Sequence, residues 1–128
     1  MGATISPVTP TAVIVDDHDG FRAMARQMLE DAGFEVVGEA PDGAGAMAQV
    51  ATLQPDLVLL DVQLPDTDGF TVADGLSRTS PRAVVVLTSV RSADDYGWDR
   101  VATTAGRRFI AKAELSGAAL AELVAERT

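Results

Sequence analysis

Cysteine is absent from the sequence. Disulfide bonds, zinc sites built from thiolates and cysteine nucleophiles are therefore excluded, and a reducing cytoplasm is the compartment that this composition favours. The chain also lacks the apolar run of about 18 residues that a membrane helix requires. No basic segment followed by an apolar one stands at its start. We therefore expect neither a membrane span nor a secretory signal.

Basic residues are scarce. The sequence has 10 lysines and arginines against 19 aspartates and glutamates, which gives a formal net charge of −9 at pH 7. A nucleic-acid-binding surface needs clustered Lys and Arg side chains to displace counterions from phosphates, and no such cluster occurs in the sequence. We expect no direct nucleic-acid binding by this chain.

Apolar residues, in contrast, are plentiful. They make up 47% of the 128 residues, which is enough to build one hydrophobic core, so a single compact domain is expected. Residues 1–11, MGATISPVTPT, contain two prolines and no charged side chain, and we predict a disordered N-terminal arm there. Residues 12–128 then form the domain.

Apolar runs alternate with helical patterns along this domain. Short runs of apolar or β-branched residues predict strands at 12–15, 34–40, 57–60, 83–87 and 107–111. Helices are predicted after each strand: one closed by Gly33, then 44–53, about 70–77, 93–105, and a last helix capped by Ser116. Five alternations with connections long enough for crossovers predict an α/β fold, a doubly wound five-stranded parallel sheet.

The stretch at 57–70, LVLLDVQLPDTDGF, delivers a single aspartate, Asp61, to the end of an apolar strand. Four consecutive apolar residues fit a strand that is buried on both faces, as in a parallel sheet. Ligands bind at the carboxyl edge of such a sheet, where loops and helix N-termini converge. We therefore expect Asp61 to lie where this strand meets solvent, and we assign the later Asp66 and Asp68 to turn formation.

Three other predicted strands also end in polar residues. The complete set is Asp16 and Asp17 after the first strand, Asp61 after the third, Thr88 after the fourth and Lys112 after the fifth. Because close carboxylates repel one another, they favour a cation, and hard oxygen ligands suit Mg²⁺. A lysine and a hydroxyl beside them suit a phosphoryl group, for which an aspartate can be the nucleophile.

These residues, in this order and approximate spacing, resemble the response-regulator receiver domain family from about Ala12 to Arg127. The resemblance implies a flavodoxin-like fold and a phosphorylation-controlled signalling switch. Asp61 would accept a phosphoryl group from a sensor histidine kinase or a phosphotransfer protein. Asp17, Asp61 and the backbone carbonyl of Gln63 would bind Mg²⁺ directly, and Asp16 would act largely through a bound water.

The resemblance also implies a switch. Lys112 would pair with the phosphoryl or carboxylate oxygen, Thr88 would move to hydrogen-bond the phosphoryl group, and Phe109 would follow by changing rotamer. Homodimerisation on activation and an output partner of unknown identity are further expectations. Turnover of a separate substrate is not expected. Where the family often has Lys-Pro, this chain has Lys112-Ala113, and a non-proline cis bond there would cost about 3 kcal/mol, so we do not expect one.

Other hypotheses stay open beside this one. A pseudo-receiver would keep the fold as an interaction domain without phosphorylation. A small aspartate-dependent phosphatase would need a second carboxylate two residues after Asp61, where Gln63 stands. Residues 43–48, GAGAMA, satisfy a loose dinucleotide-binding pattern, but Pro41-Asp42 separates them from the strand. For His18, beside the acidic pair, we expect a solvated loop residue and not a metal ligand.

Overall fold

The computed structural model describes residues 9–90 and 108–126. In these residues the strands are β1 Thr11–Val15, β2 Glu35–Ala40, β3 Leu57–Asp61, β4 Val84–Ser89 and β5 Arg108–Ala111. The helices are α1 Asp19–Asp31, α2 Gly43–Leu53, α3 Gly69–Thr79 and α4 Gly117–Glu126, with a 3₁₀ turn at Lys112–Glu114. The strands form one parallel sheet in the order β2-β1-β3-β4-β5. The predicted doubly wound α/β fold is therefore confirmed.

The element boundaries follow local chemistry. Gly33 follows α1 with φ 95°, the left-handed conformation that glycine adopts most readily. Ser116 accepts a hydrogen bond from the Ala119 backbone at 3.1 Å, as expected of the residue that caps the last helix. Thr11, which the sequence assigned to the arm, is the first residue of β1. Residues 1–8, and the helix predicted at 93–105, lie outside the described residues.

Each face of the sheet carries its own hydrophobic cluster. Side chains alternate along the strands, so Val13 and Val58 pack with α2 and α3 on one face, whereas Ile14 and Leu59 pack with α1 and α4 on the other. Every residue of β3 is buried, as the continuous apolar run predicts for a central strand. Because helices cover both faces of the sheet, the places left for polar side chains are the two ends of the strands. We call these the amino edge and the carboxyl edge.

Two further features bear on the sequence predictions. Strand β2 is an edge strand, which agrees with its lower apolar content. The described residues contain no cis peptide bond, so the Lys112–Ala113 bond is trans, as expected. No helix within the described part of the chain is long and apolar enough to cross a membrane.

Candidate functional site

The sheet order makes neighbours of the four strands that end in the predicted polar residues. Val15 is in register with Leu60, so the acidic pair that follows β1 stands beside the end of β3. Asp61 is in register with Thr88 of β4, and Thr88 is in register with Ile110 of β5. Lys112 follows β5 directly. The structure therefore brings the predicted set to one carboxyl edge.

Asp61 is buried, which corrects the expectation that it meets solvent. Only 5% of the residue is exposed. The loop after β3 returns against it: a Cβ at Gly69 would collide with the Asp61 carbonyl oxygen, so the first turn of α3 lies directly on the strand end because Gly69 has no side chain. The side chain of Lys112, which is 14% exposed, lies on the same carboxylate and helps to exclude water.

Lys112 joins the two buried carboxylates. Its ammonium group lies 2.7 Å from Asp16 Oδ2 and 3.8 Å from Asp61 Oδ2, so in this structure it pairs more closely with Asp16. The same ammonium group lies 4.1 Å from the centre of the Phe21 ring. A cation over an aromatic face is attracted by the ring quadrupole, which helps to hold Lys112 beside the first turn of α1. The sequence did not predict this role of Phe21.

The surroundings of Asp61 disfavour its negative charge. Burial first, and repulsion from Asp16 second, raise the pKa of Asp61 to about 6, against lowering effects of Lys112 and the backbone N–H of Gln63. A carboxyl group with this pKa is still mostly ionised at neutral pH, but its ionisation in this environment costs free energy. A cation at this edge would lower that cost, so the donor set fits Mg²⁺, which prefers carboxylate and carbonyl oxygens.

Asp17 and His18 form the more open side of this cluster. The side chain of Asp17 is 40% exposed, and that of His18 is 74% exposed, as expected of a solvated loop residue. His18 Nδ1 lies 3.1 Å from Asp17 Oδ1 and 3.3 Å from Asp16 Oδ1, contacts that the sequence did not indicate. One ligand atom from each of these three residues lies within 4.8 Å of the others.

Gln63 lies at the start of the loop after β3. Its backbone N–H donates to Asp61 Oδ1 at 3.4 Å. Gln63 also pairs with Asp68 in an isolated antiparallel bridge, in which the flanking residues make the hydrogen bond, from Gly69 N to Val62 O at 2.6 Å. In such a pair the backbone groups of the facing residues point away from each other, which leaves those of Gln63 available to the carboxyl edge.

Thr88 and Phe109 lie on the β4–β5 side of the cluster. Thr88 is fully buried, and its hydroxyl donates to the Ile110 carbonyl oxygen at 2.6 Å. The hydroxyl is therefore directed to β5 in this structure and not to Asp61. Phe109 is partly buried against the hydrophobic cluster on the α2–α3 face.

Two arginines of α1, Arg22 and Arg26, contact groups near the acidic residues, which the sequence did not predict. Arg22 donates to the Asp16 carbonyl oxygen and to Glu39 at 3.0 Å, and it also contacts Asp19. Arg26 binds the same Glu39 at 2.6 Å. These contacts tie α1 to the edge strand β2 and hold the backbone that carries Asp16. Arginines four residues apart on one helix face were the signal available in the sequence.

The acidic residues around the loop after β3 and the glycine-rich start of α2 have structural roles. Asp68 caps α3 by accepting from the Thr71 backbone at 2.9 Å, whereas Asp66 accepts from Gly43 and Ala44 at the start of α2, so Asp66 does more than form a turn. Asp42 accepts from Gly45 at 2.7 Å. The backbone amides that a dinucleotide phosphate would need are thus bound by carboxylates.

Comparison with known proteins agrees with this geometry. The sequence of residues 12–124 matches the family model of the response regulator receiver domain. The chain is 39% identical over 80 residues to a protein-glutamate methylesterase/protein-glutamine glutaminase of Alkalilimnicola ehrlichii, covering 62% of this chain and 20% of that protein. It is 30% identical over 103 residues to the DNA-binding transcriptional activator EvgA of Escherichia coli K12, covering 80% of this chain and 50% of that protein. The chain thus spans between a fifth and a half of these curated relatives.

Solved structures show the same fold. The NarL signal receiver domain from Mycobacterium tuberculosis superposes with a TM-score of 0.80 at 27% identity, covering 94% of this chain and 96% of that one. A chain of the CheX-CheY-BeF3-Mg complex from Borrelia burgdorferi superposes with a TM-score of 0.76 at 24% identity, covering 91% and 87%. With its sheet order, its cluster at the carboxyl edge and a family match over nearly its whole length, the chain belongs to the response regulator receiver domain family.

Proposed function

We propose that this chain is a phosphorylation-activated receiver in which Asp61 accepts a phosphoryl group from a sensor histidine kinase or a phosphotransfer protein. The observation that carries the proposal is the place of the Asp61 carboxylate. It is buried at the carboxyl edge beside the carboxylate of Asp16, and the Lys112 ammonium group lies 3.8 Å from it. The ionised form of such a carboxyl group is unfavourable, which favours its reaction with an electrophile.

The proposed reaction is a single phosphoryl transfer. A carboxylate oxygen of Asp61 attacks the phosphorus atom, a new O–P bond forms, and the bond from phosphorus to the donor nitrogen breaks, with the electron pair leaving on that nitrogen. Lys112 supplies a positive charge beside the oxygens that gain negative charge. Because the pKa of Asp61 is about 6, its nucleophilic, ionised form predominates at neutral pH.

Mg²⁺ is the cofactor of the proposed reaction. Asp16, Asp17, Asp61 and the backbone carbonyl of Gln63 would hold it, with Asp16 acting largely through water. When bound, it would neutralise the carboxylates and the oxygens of the phosphoryl group. The complex from Borrelia burgdorferi, in which one chain has a similar fold, contains BeF3 and Mg²⁺, which supports this choice of cation.

Thr88 and Phe109 are the proposed switch. For Thr88 to bind the phosphoryl group, its hydroxyl must exchange the hydrogen bond to the Ile110 carbonyl for one to a phosphoryl oxygen. Rotation of Thr88 would free space on the side of β5, and Phe109 would follow it. A local change of charge would thereby alter the β4–β5 surface.

The partners follow from the same proposal. The chain would act in the cytoplasm, where a sensor kinase supplies phosphoryl groups, and would pass its state to an output partner or to a second copy of itself. It would not turn over a separate substrate, and contact with DNA would come from another chain. We propose that the receiver domain begins with β1, whose first residue is Thr11, and runs to residue 128, preceded by an arm at 1–10.

The test uses acetyl phosphate with Mg²⁺ and intact-protein mass measurement. We expect one phosphoryl adduct on the wild type and none on Asp61→Asn. Asp31→Asn is the matched control, because this exposed carboxylate at the end of α1 accepts from Gln27 and lies outside the site. It should give the wild-type adduct.

Two other outcomes identify the competing hypotheses. The absence of an adduct with acetyl phosphate and with phosphorylated kinases would favour a pseudo-receiver. Continuous release of phosphate from an unrelated phosphate ester would favour a phosphatase.

A further inference from the structure

The loop between β3 and α3 is held at two separate places. Its base is closed by the hydrogen bond from Gly69 N to Val62 O and by the bridge between Gln63 and Asp68. This closure brings the start of α3 back to the end of β3, where Gly69 contacts Asp61. The loop therefore leaves and rejoins the site within a few residues.

The tip of the loop is attached to a different helix. Asp66 Oδ1 accepts from the Gly43 backbone at 2.8 Å, and Asp66 Oδ2 accepts from the Ala44 backbone at 3.0 Å. One carboxylate thus binds two of the amide groups that have no partner inside a helix at its first turn. The positive end of the helix dipole strengthens both bonds, and they lower the pKa of Asp66.

Close packing supports this attachment. A Cβ at Gly43 would lie 2.5 Å from Thr67 Cγ2 and 3.0 Å from Val72 Cγ2. The loop can therefore approach α2 closely only because position 43 has no side chain. Asp42 caps the same helix end from its own side, through Gly45 at 2.7 Å, so the start of α2 is a fixed support.

Gln63 stands at the base of this loop, next to Asp61 of the acidic cluster. Its backbone N–H is 3.4 Å from Asp61 Oδ1, and its bridge to Asp68 leaves its own backbone groups directed away from the partner segment. Because Gln63 belongs to this loop, the position of its carbonyl depends on how the loop is held at both places. Asp66 is the residue whose side chain joins that loop to α2.

We propose that Asp66 is a positioning residue for the cation site: by binding the Gly43 and Ala44 amides, it fixes the loop that presents the Gln63 carbonyl to Mg²⁺. This inference rests on the proposed function, because it takes Gln63 as a ligand. Asp66 itself touches neither the cation nor the phosphoryl group. It acts through the backbone, as residues outside the ligand set do when they orient ligands.

The test compares two aspartates of the same loop. Asp66→Asn removes one acceptor oxygen and one charge, whereas Asp68→Asn removes an equal charge two residues away and keeps a side chain that caps α3 well. The dissociation constant for Mg²⁺ is measured by titration calorimetry on the full chain, without any phosphoryl donor. We expect it to rise about 10-fold in Asp66→Asn, and at least as much in Asp66→Ala, but less than about 2-fold in Asp68→Asn.

Thermal unfolding separates positioning from plain stability. If Asp66 merely capped α2, its variants would lower the unfolding temperature, and their Mg²⁺ dissociation constants would equal that of Asp68→Asn, which would overturn the inference alone. A wild type that binds no Mg²⁺ would overturn the proposed function and the inference together. Mg²⁺ at saturating concentration should also restore the rate of phosphorylation by acetyl phosphate in Asp66→Asn.

Discussion

One aspartate directly precedes strand β3 and another ends it, and the two have opposite surroundings. Asp56, at the amino edge, accepts from Thr11 N at 2.7 Å and from the Thr11 hydroxyl at 3.3 Å, while its own N–H donates to Thr11 O and its carbonyl accepts from Val84. Its groups join β1, β3 and β4. Asp61, five residues later, is buried with a 3.4 Å hydrogen bond from Gln63 and a pKa raised to about 6.

This difference shows what the two edges do. At the amino edge a carboxylate stabilises the sheet by accepting hydrogen bonds from the backbone N–H and the hydroxyl of Thr11. At the carboxyl edge a carboxylate is kept in an environment that disfavours its charge, which is the usual condition of a group that must react or bind a cation. The same residue type thus stabilises the sheet at one end of the strand and, in the proposed function, carries the chemistry at the other.

The most severe test of this comparison concerns Lys112. Lys112→Ala leaves the fully buried Asp16 without the ammonium group that lies 2.7 Å away. We expect the free energy of unfolding to fall by about 3 kcal/mol at pH 7, because an uncompensated buried charge remains. Urea denaturation measures this. The double variant with Asp16→Asn should recover part of the loss, and equal stability of the single and double variants would contradict the explanation.

The second test removes the carboxylate at the amino edge. Asp56→Ala leaves the Thr11 N–H without its acceptor, so we expect a loss of about 2 kcal/mol in the free energy of unfolding. Phosphorylation of the folded protein should be unchanged. Thr11→Val is the control: it removes the hydroxyl, with its 3.3 Å contact to Asp56 Oδ2 and its 3.2 Å contact to the Asp56 N–H, which keeps the Thr11 carbonyl as acceptor, so it should cost less. A greater loss in Thr11→Val would assign the stability to the hydroxyl instead.

The third test replaces Asp61 in the absence of metal. A carboxyl whose pKa is about 6 in the folded protein and 3.8 when unfolded stabilises the fold below pH 3.8, and that contribution is lost as the pH rises through 6. With EDTA present, Asp61→Asn should therefore be more stable than the wild type by about 1 to 2 kcal/mol at pH 7. Near pH 4 most of this gain should disappear. Urea denaturation at both pH values checks it, and a variant less stable at pH 7 would contradict the raised pKa.

Much of this architecture could be predicted from the sequence. Continuous apolar runs and helical periodicity are local signals, so the described elements lie within one or two residues of their predicted bounds. The gathering of Asp61, Thr88 and Lys112 at one edge follows from parallel strand direction alone. The burial of Asp61 could not be predicted, because it depends on Gly69 and Lys112 arriving from other parts of the chain. The contact of Asp66 with Gly43 could not be predicted for the same reason, since the two residues are 23 positions apart.

The smallest expected effect lies at the amino edge, where Ser80 and Asp56 line one cavity with Arg82. The Ser80 hydroxyl is buried and has no hydrogen-bond partner among the described residues. Burying a hydroxyl without a partner costs free energy, so Ser80→Ala should be neutral or should stabilise the protein by up to about 1 kcal/mol. Urea denaturation resolves this if the slope with denaturant is unchanged. A loss of about 1 kcal/mol instead would mean that the hydroxyl is bonded in solution, and that the amino edge satisfies its polar groups as completely at Ser80 as it does at Asp56.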